Sequence, residues 1–172
     1  ATFHGLCRQL LLERGDAAYR GGLIDDEMRT AIMADALQLV TDPGDLSVAA
    51  AVAGVVQAKQ ALLTPADDLS ALPVAPGPLS AVYAAYQRLL RMQHLLDFED
   101  LICETVRLLA SDETWRKQLR QRFVHIFVDE FQDINAGQYR LIRLLAPAQA
   151  DICVIGDPDQ AIYGFRGSDV RF

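Results

Sequence analysis

The sequence predicts an α/β fold that is helical by content and contains a parallel strand–helix–strand unit near its end. Two apolar runs of strand length, FVHIFV (123–128) and DICVIG (151–156), carry this prediction. Between them, AGQYRLIRLLA has the periodicity of an amphipathic helix. Strands that are joined by a helix within about thirty residues run parallel, and parallel strands are buried on both faces. We therefore expect both runs to lie inside the fold.

Composition and charge limit the classes of protein that the chain can represent. Its 172 residues, 51% hydrophobic and 23% charged, suit one or two folded domains. A net charge of −7 argues against a purely electrostatic binder of nucleic acid. No apolar run is long enough for a membrane span and no secretory leader is visible, so we expect a cytoplasmic protein. The missing initiator Met and the abrupt end at Phe172 indicate a piece of a longer protein.

The three cysteines, Cys7, Cys103 and Cys153, are widely spaced and form no C-x-x-C pair. This spacing predicts buried free thiols in a reducing compartment and argues against a disulfide frame or a zinc site.

The remainder of the chain reads as helices separated by breakers. The first helix has Leu6, Leu10 and Leu11 on one stripe and ends near Gly15; the second has Met28, Ile32 and Leu39 facing inward. The predicted helices cover 3–14, Asp25 or Asp26 to Val40, 47–63, 79–96, 98–110, 113–121 and 136–146. The segment TDPGD (41–45) is predicted to be a turn, and ALPVAPGP (71–78) is predicted to be a loop.

Two of these helices have cap signatures. Asp97 with Asp100 resembles a capping box, and Asn135 with Gln138 is another. Because breakers bracket the all-helical stretch 41–95, we predict that it is an insertion between 1–40 and 96–172.

Acidic residues follow the first predicted strand. Asp129, Glu130 and Asp133 come within five positions, and Gly156 and Asp157 follow the second strand. Ligands of open parallel sheets bind outside the carboxyl ends of the strands. One acid could hold Mg²⁺ while the next orients the attacking water in phosphoryl transfer. The alternative, left open by this stretch alone, is a turn in which Asp129 or Asp133 caps the next helix.

The segment GDPDQAIYGFRGSD (156–169) combines a polar side chain, Gln160, with Tyr163, Phe165 and Arg166, and the glycines Gly164 and Gly167 interrupt this series. Aromatic side chains alternating with arginine on a loop with glycine hinges suit base stacking and phosphate contact. The alternative is that the two aromatic rings pack into the core. The basic cluster in 116–122 reads more simply as a solvated helix face.

Four motifs, taken together, resemble one family. DEFQD and GDPDQAIYGFRGSD resemble motifs II and III of the UvrD/Rep/PcrA group of superfamily-one DNA helicases. TFHGLC (2–7) resembles its motif Ib, and DFEDLI (97–102) resembles its D-F-D-D-L-L segment. The motifs occur in family order, so the resemblance spans the chain. It implies part of domain 1A, a RecA-like P-loop NTPase motor domain, with 41–95 as the inserted helical 1B subdomain.

The resemblance also implies residue roles. Asp129 would hold the Mg²⁺ of MgATP, Glu130 would be the catalytic base, and Gln160 would contact the γ-phosphate. Single-stranded DNA would lie against Thr2, Phe3, His4, Tyr163, Phe165 and Arg166. Phe165 stands where the family often has tryptophan, and Gly5 departs from the usual serine.

The implied function is ATP-dependent 3′–5′ unwinding of DNA at junctions of single and double strands, in repair, replication or recombination. Neither Lys59 nor Lys117 lies in G-x-x-x-x-G-K-[ST], so this chain carries no P-loop. Two alternatives remain: the motor of a RecB- or AddA-like helicase–nuclease, or a degenerate module that binds DNA or protein without hydrolysis.

Overall fold

A computed structural model describes residues 1–15, 22–72, 78–147 and 151–157. In these residues the helices are α1 (Phe3–Arg14), α2 (Asp26–Gln38), α3 (Val48–Gln60), α4 (Leu79–Met92), α5 (Phe98–Ser111), α6 (Glu113–Arg122) and α7 (Ala136–Leu145); the strands are β1 (His125–Val128) and β2 (Asp151–Val154). The predicted order of elements is confirmed, with both strands and several helices shorter than expected. None of the described helices is long and apolar enough to cross a bilayer.

Short polar side chains begin most of the helices. The side chains of Thr2, Asp25, Ser47, Asp112 and Asn135 each accept a hydrogen bond from a backbone N–H in the first turn that follows. Such caps satisfy N–H groups that have no partner inside the helix. The predicted starts of these helices lie within one residue of the observed ones. For α2, where the sequence left Asp25 and Asp26 as alternatives, Asp25 is the cap.

The chain divides into two compact units, Ala1–Leu101 and Ile102–Phe172, and α5 begins in the first and ends in the second. The predicted division into 1–40, 41–95 and 96–172 stays a prediction.

The core of the first unit is formed by α2, α3 and α4. Gly54 lets α3 approach α4 closely, because an added Cβ would lie 2.8 Å from a methyl carbon of the fully buried Leu79. Tyr86 and Met33 are fully enclosed in the same core. The helix pair therefore depends on a small residue at one point of contact.

The predicted inward face of α2 is wrong by about one position. Ile32 is buried as expected, but Met28 and Leu39 are about half exposed. The buried face instead runs through Ile32, Met33 and Ala36. The physical reason lies one residue past Met28: Arg29 points inward, where its guanidinium pairs with Glu99 at 3.0 Å. A charged residue thus occupies a position that hydrophobic periodicity assigns to an apolar one.

In the second unit, β1 and β2 pair in parallel, with His125 opposite Asp151 and Val128 opposite Val154. The helix α7 connects them, so the predicted strand–helix–strand unit is confirmed. The described buried hydrophobic residues of this unit come mainly from its helices: Ile102, Val106, Leu108, Leu109, Leu119, Val128, Ile134, Leu141, Ile142, Leu144 and Leu145.

The expectation that both strands are buried on both faces is wrong. Only Val128 of β1 is buried, Phe127 is 74% exposed, and every residue of β2 is exposed. Paired strands lie side by side in the plane of the sheet, so neither covers the faces of the other. Burial on both faces requires packed layers above and below the sheet. Cys153 on β2 is exposed for the same reason, whereas Cys7 is buried as predicted and Cys103 is intermediate.

Candidate functional site

The candidate site lies where β1 and β2 end. The backbone pairing continues past both strands: Ile155 N–H donates to the Val128 carbonyl at 2.8 Å, and Phe131 N–H donates to the Ile155 carbonyl at 2.9 Å. Asp129 and Glu130 therefore lie beside the segment that follows β2, with both carboxylates exposed. The structure brings together the two strand ends that the sequence predicted to meet.

Glu130 has an unusual backbone conformation. Its φ of 51° and ψ of 46° are left-handed, which non-glycine residues adopt at a cost of about 1–2 kcal/mol. The Asp129 carboxylate accepts a hydrogen bond from the Glu130 N–H at 3.0 Å. A short 3₁₀ turn, Phe131–Asp133, follows. The left-handed residue breaks the strand direction and turns the chain away immediately after the two acids.

The alternative in which an acid caps the following helix is wrong. Asn135 caps α7, and its carboxamide and that of Gln138 form the predicted capping box with bonds of 3.0 Å. Asp129 and Asp133 are thus free of that structural role. One carboxylate oxygen of Asp133 is buried and has no hydrogen-bond partner among the described residues.

The donor set at the strand end fits one hard cation. Carboxylate oxygens are the ligands that Mg²⁺ prefers, and Mg²⁺ commonly takes only one or two of them, with water and phosphate completing its shell. Asp129 and Glu130 offer such oxygens to solvent. Among the described residues there is no group of three or more His, Cys, Asp or Glu that could enclose a metal. The arrangement suits a cation that arrives with a phosphate ligand rather than one held in a protein cage.

Gln132 joins the two strand ends and was missed by sequence reasoning. It is buried, its amide nitrogen donates to the Glu130 carboxylate at 2.6 Å, and its amide oxygen accepts from the Asp157 N–H at 3.1 Å. In the sequence Gln132 is the fourth residue of DEFQD, but no role was assigned to it there, and a polar residue between two acids does not by itself indicate burial.

The N-terminal site residues form a separate group. Thr2 caps α1 by accepting from the Gly5 N–H at 3.1 Å, and Phe3 is half-buried. The His4 ring stacks on Phe98 with centroids 3.7 Å apart and planes at 20°. Burial lowers the pKa of His4, which favours the neutral imidazole. The structure thus brings a ring from TFHGLC together with a ring from DFEDLI, a pairing that the sequence did not predict.

A buried ionic cluster includes Asp97, the residue before Phe98 in the chain. Lys59 is 1% exposed, and its ammonium lies 2.5 Å from Asp97 and 2.7 Å from Asp100. The Tyr86 hydroxyl donates to Asp97 at 3.0 Å, and Gln87 donates to Asp100 at 3.0 Å. The two acids also form the predicted capping box, with bonds of 2.9 and 3.2 Å to each other's backbone N–H. The first turn of α5 is therefore anchored to α3 and α4.

The pKa values of this cluster follow from burial and mutual attraction. Burial alone would lower the pKa of Lys59, but Asp97 and Asp100 outweigh it and raise that pKa. Burial opposes ionisation of Asp97, yet Lys59 holds its pKa below the usual value. For Asp100, burial and the charge of Asp97 outweigh Lys59 and raise the pKa. One ammonium cannot fully compensate two buried carboxylates.

The basic residues before β1 are only partly a solvated face. Arg116 donates to the Leu109 carbonyl at 2.6 Å, near the end of α5. Arg120 donates to the Leu144 carbonyl at 2.9 Å, near the end of α7. Both guanidiniums therefore satisfy helix C-termini, where cations are favoured. Lys117 is exposed as predicted and pairs with Glu113.

Residues of the segment after Asp157 that carry predicted roles lie outside the described residues. These are Gln160, Tyr163, Gly164, Phe165, Arg166 and Gly167.

Comparisons with known proteins agree with the arrangement of the motifs. The chain is an α/β protein with acids at the carboxyl end of a parallel strand pair, the edge at which open parallel sheets bind their ligands. The family model for the UvrD/REP helicase N-terminal domain matches residues 1–172. The chain is 34% identical to the ATP-dependent DNA helicases PcrA of Staphylococcus aureus (strain Mu50) and Staphylococcus epidermidis (strain RP62A), over 99% of its length and 24% of theirs. The chain belongs to the UvrD/Rep helicase family.

Proposed function

We propose that this chain is part of the motor of an ATP-dependent DNA helicase. In this proposal the whole protein couples hydrolysis of MgATP to 3′–5′ movement along single-stranded DNA in the cytoplasm. It opens junctions of single and double strands during repair, replication or recombination. The chain spans 24% of the length of the PcrA relatives that it matches, so the activity belongs to a longer protein. Its own contribution is part of RecA-like domain 1A, with 41–95 as the helical 1B insertion.

The observation that carries the proposal is the geometry at the two strand ends. Two exposed carboxylates follow β1 directly, and the backbone beside them continues into the GDPDQ segment. Such an edge is where open parallel sheets bind ligands. The two carboxylates at this edge suit one Mg²⁺ bound to phosphate and one attacking water.

In the proposed mechanism, adjacent acids have different roles. Mg²⁺, when bound with ATP, neutralises the charge that develops on the phosphates. Asp129 would hold that ion, directly or through its water. Glu130 accepts a proton from the attacking water, and the left-handed turn at Glu130 lets its carboxylate diverge from that of Asp129. Gln160 contacts the γ-phosphate.

The proposed DNA contacts come from two segments of the chain. Thr2, Phe3 and His4 border the single strand, and the stack of His4 on Phe98 supports an aromatic surface at that place. Tyr163, Phe165 and Arg166 add stacking and phosphate contact, with Gly164 and Gly167 as hinges.

The test compares two substitutions in the full-length protein. Asp129→Asn removes a ligand of the cation and should weaken binding of a fluorescent ATP analogue in the presence of Mg²⁺. Glu130→Gln should leave that binding intact while lowering ATP turnover by about two to four orders of magnitude. Glu113→Gln is a control, because its exposed ion pair with Lys117 is on α6, and its turnover should stay at the wild-type level. Wild-type turnover by Glu130→Gln would refute the assigned base.

A further inference from the structure

Gln132 is enclosed between the acid that follows β1 and the backbone that follows β2. The residue is 8% exposed, and both ends of its carboxamide form hydrogen bonds. The orientation of the amide is dictated by its partners: a carboxylate can only accept, so it faces the NH₂ group, and the Asp157 N–H can only donate, so it faces the oxygen. A single side chain therefore spans the two strand ends.

The space around this carboxamide is closed on the side of Gly156. A Cβ at Gly156 would lie 2.5 Å from the Gln132 amide oxygen and 3.2 Å from the Phe131 nitrogen. Glycine therefore permits this close approach, and a side chain at position 156 would require the carboxamide to shift. The Phe131 N–H is itself bonded to the Ile155 carbonyl, which holds the turn from the other side.

The acid that Gln132 contacts is held in the left-handed conformation described above. A strained backbone conformation persists only where several surrounding interactions hold it in place. Here the surroundings include the bond between Phe131 and Ile155 and the bond from Gln132 to the Glu130 carboxylate. Without the Gln132 amide, the exposed carboxylate would be free to take other rotamers.

We propose that Gln132 is a positioning residue that orients the Glu130 carboxylate and ties it to the chain after β2. This inference rests on the proposed function, in which Glu130 accepts a proton from the attacking water. Gln132 touches neither ATP nor DNA in this assignment; it acts through Glu130. Because its oxygen is bonded to Asp157, a shift of the backbone after β2 moves the carboxamide and with it the carboxylate.

The experiment uses the full-length protein and measures kcat, KM for ATP and affinity for a fluorescent ATP analogue. Gln132→Leu keeps the volume and removes both bonds. We expect kcat to fall about 10- to 100-fold, the loss typical of a misplaced catalytic group, with ATP affinity within twofold of wild type. Gly156→Ala should lower kcat in the same way, since its methyl group displaces the carboxamide. Gln138→Leu is the matched control: it breaks the capping box of α7 without touching Glu130, and kcat should stay within twofold.

A double-mutant comparison separates positioning from general damage. If Gln132 acts through Glu130, then Gln132→Leu should cost nothing further in a Glu130→Gln background under single-turnover conditions. An equal loss in both backgrounds would overturn the inference. So would wild-type kcat in Gln132→Leu, or a loss of ATP affinity as large as the loss of kcat. Thermal unfolding of each variant checks folding, and Gly156→Ala provides the same test if Gln132→Leu does not fold.

The outcomes also separate this inference from the proposed function. If Glu130→Gln itself retains turnover, the catalytic assignment fails first. If Glu130→Gln loses turnover and Gln132→Leu does not, only the positioning role of Gln132 is wrong.

Discussion

Lys59 is one of two lysines in the chain, and the two have opposite environments. Lys59 is enclosed by Asp97 and Asp100 at distances of 2.5 and 2.7 Å, whereas Lys117 pairs with Glu113 on the surface of α6. Removing one partner of a buried ion pair leaves an uncompensated charge, which costs more than the pair itself contributes. Exposed pairs are screened by water and contribute little.

We therefore expect Lys59→Met and Lys117→Met to differ strongly. Lys59→Met should lower the free energy of unfolding of the 172-residue chain by about 3–5 kcal/mol. Lys117→Met should change it by less than about 1 kcal/mol. Urea denaturation of both variants measures the difference. Adding Asp97→Asn and Asp100→Leu to Lys59→Met should recover part of the loss; equal effects of the two lysines would contradict the buried cluster.

The same cluster predicts how stability responds to alkaline pH. Burial raises the pKa of Tyr86 above its ordinary 10.0, as does the negative charge of Asp97. Burial alone would lower the pKa of Lys59, but the charges of Asp97 and Asp100 raise it above its ordinary 10.5. Above these ordinary values the unfolded chain loses the two protons before the folded chain does. Folding stability should thus fall as pH rises past about 10, by up to about 1.4 kcal/mol per pH unit for each group.

Tyr86→Phe removes the titrating hydroxyl of Tyr86 and leaves the Lys59 ammonium, so it separates the contributions of the two groups to the pH dependence. The phenylalanine variant should start with lower stability, because Asp97 loses a hydrogen bond, but its stability should fall less steeply above pH 10. Urea denaturation at several pH values between 8 and 11 gives both slopes. An unchanged slope would mean that the Tyr86 hydroxyl is not shielded in the folded chain.

At the scale of elements, the contact between α3 and α4 depends on Gly54. Alanine is favoured over glycine inside a helix by about 1 kcal/mol. Here, however, its methyl group would overlap Leu79, and overpacking a closed core costs about 1–3 kcal/mol. The close approach should therefore outweigh helix propensity.

We predict that Gly54→Ala destabilises the chain by about 1 kcal/mol, while the same change stabilises a Leu79→Ala background by a similar amount. The cavity left by Leu79 accepts the new methyl group, so only the gain in helix propensity remains. Thermal or urea denaturation of the two single variants and the double variant measures the reversal. If Gly54→Ala stabilises both backgrounds, α3 and α4 can move apart at no cost in stability, and the prediction is wrong.

Sequence reasoning located most elements of the chain but misplaced one helix face. Caps such as Asp25 and Asn135 are local, so the residues that form them also reveal them. The inward face of α2 depends instead on Glu99, seventy residues away, which gives Arg29 a partner in the interior. Periodicity counts apolar residues and cannot anticipate a buried ion pair.

At the scale of the whole molecule, the chain should lack ATPase activity by itself. It has no G-x-x-x-x-G-K-[ST], and Lys59 is already bonded within its own unit. The charge stabilisation that phosphoryl transfer needs must then come from residues outside this chain. Phosphate release by purified 1–172 with MgATP and single-stranded DNA should equal that of its Glu130→Gln variant. Turnover that depends on Mg²⁺ and disappears in Glu130→Gln would contradict this prediction.

Local and short-range features of this protein were determined by the sequence alone. The strand–helix–strand order, the parallel pairing and the meeting of Asp129 and Glu130 with the end of β2 all follow from apolar runs and connection length. The tertiary structure decided which polar side chains are buried. The burial of Lys59 and Gln132 could not be read locally, because each has a bonding partner far along the chain: Asp97 for Lys59, and Asp157 for Gln132. It also decided that β2 is exposed, since an apolar strand is buried only where other layers cover it.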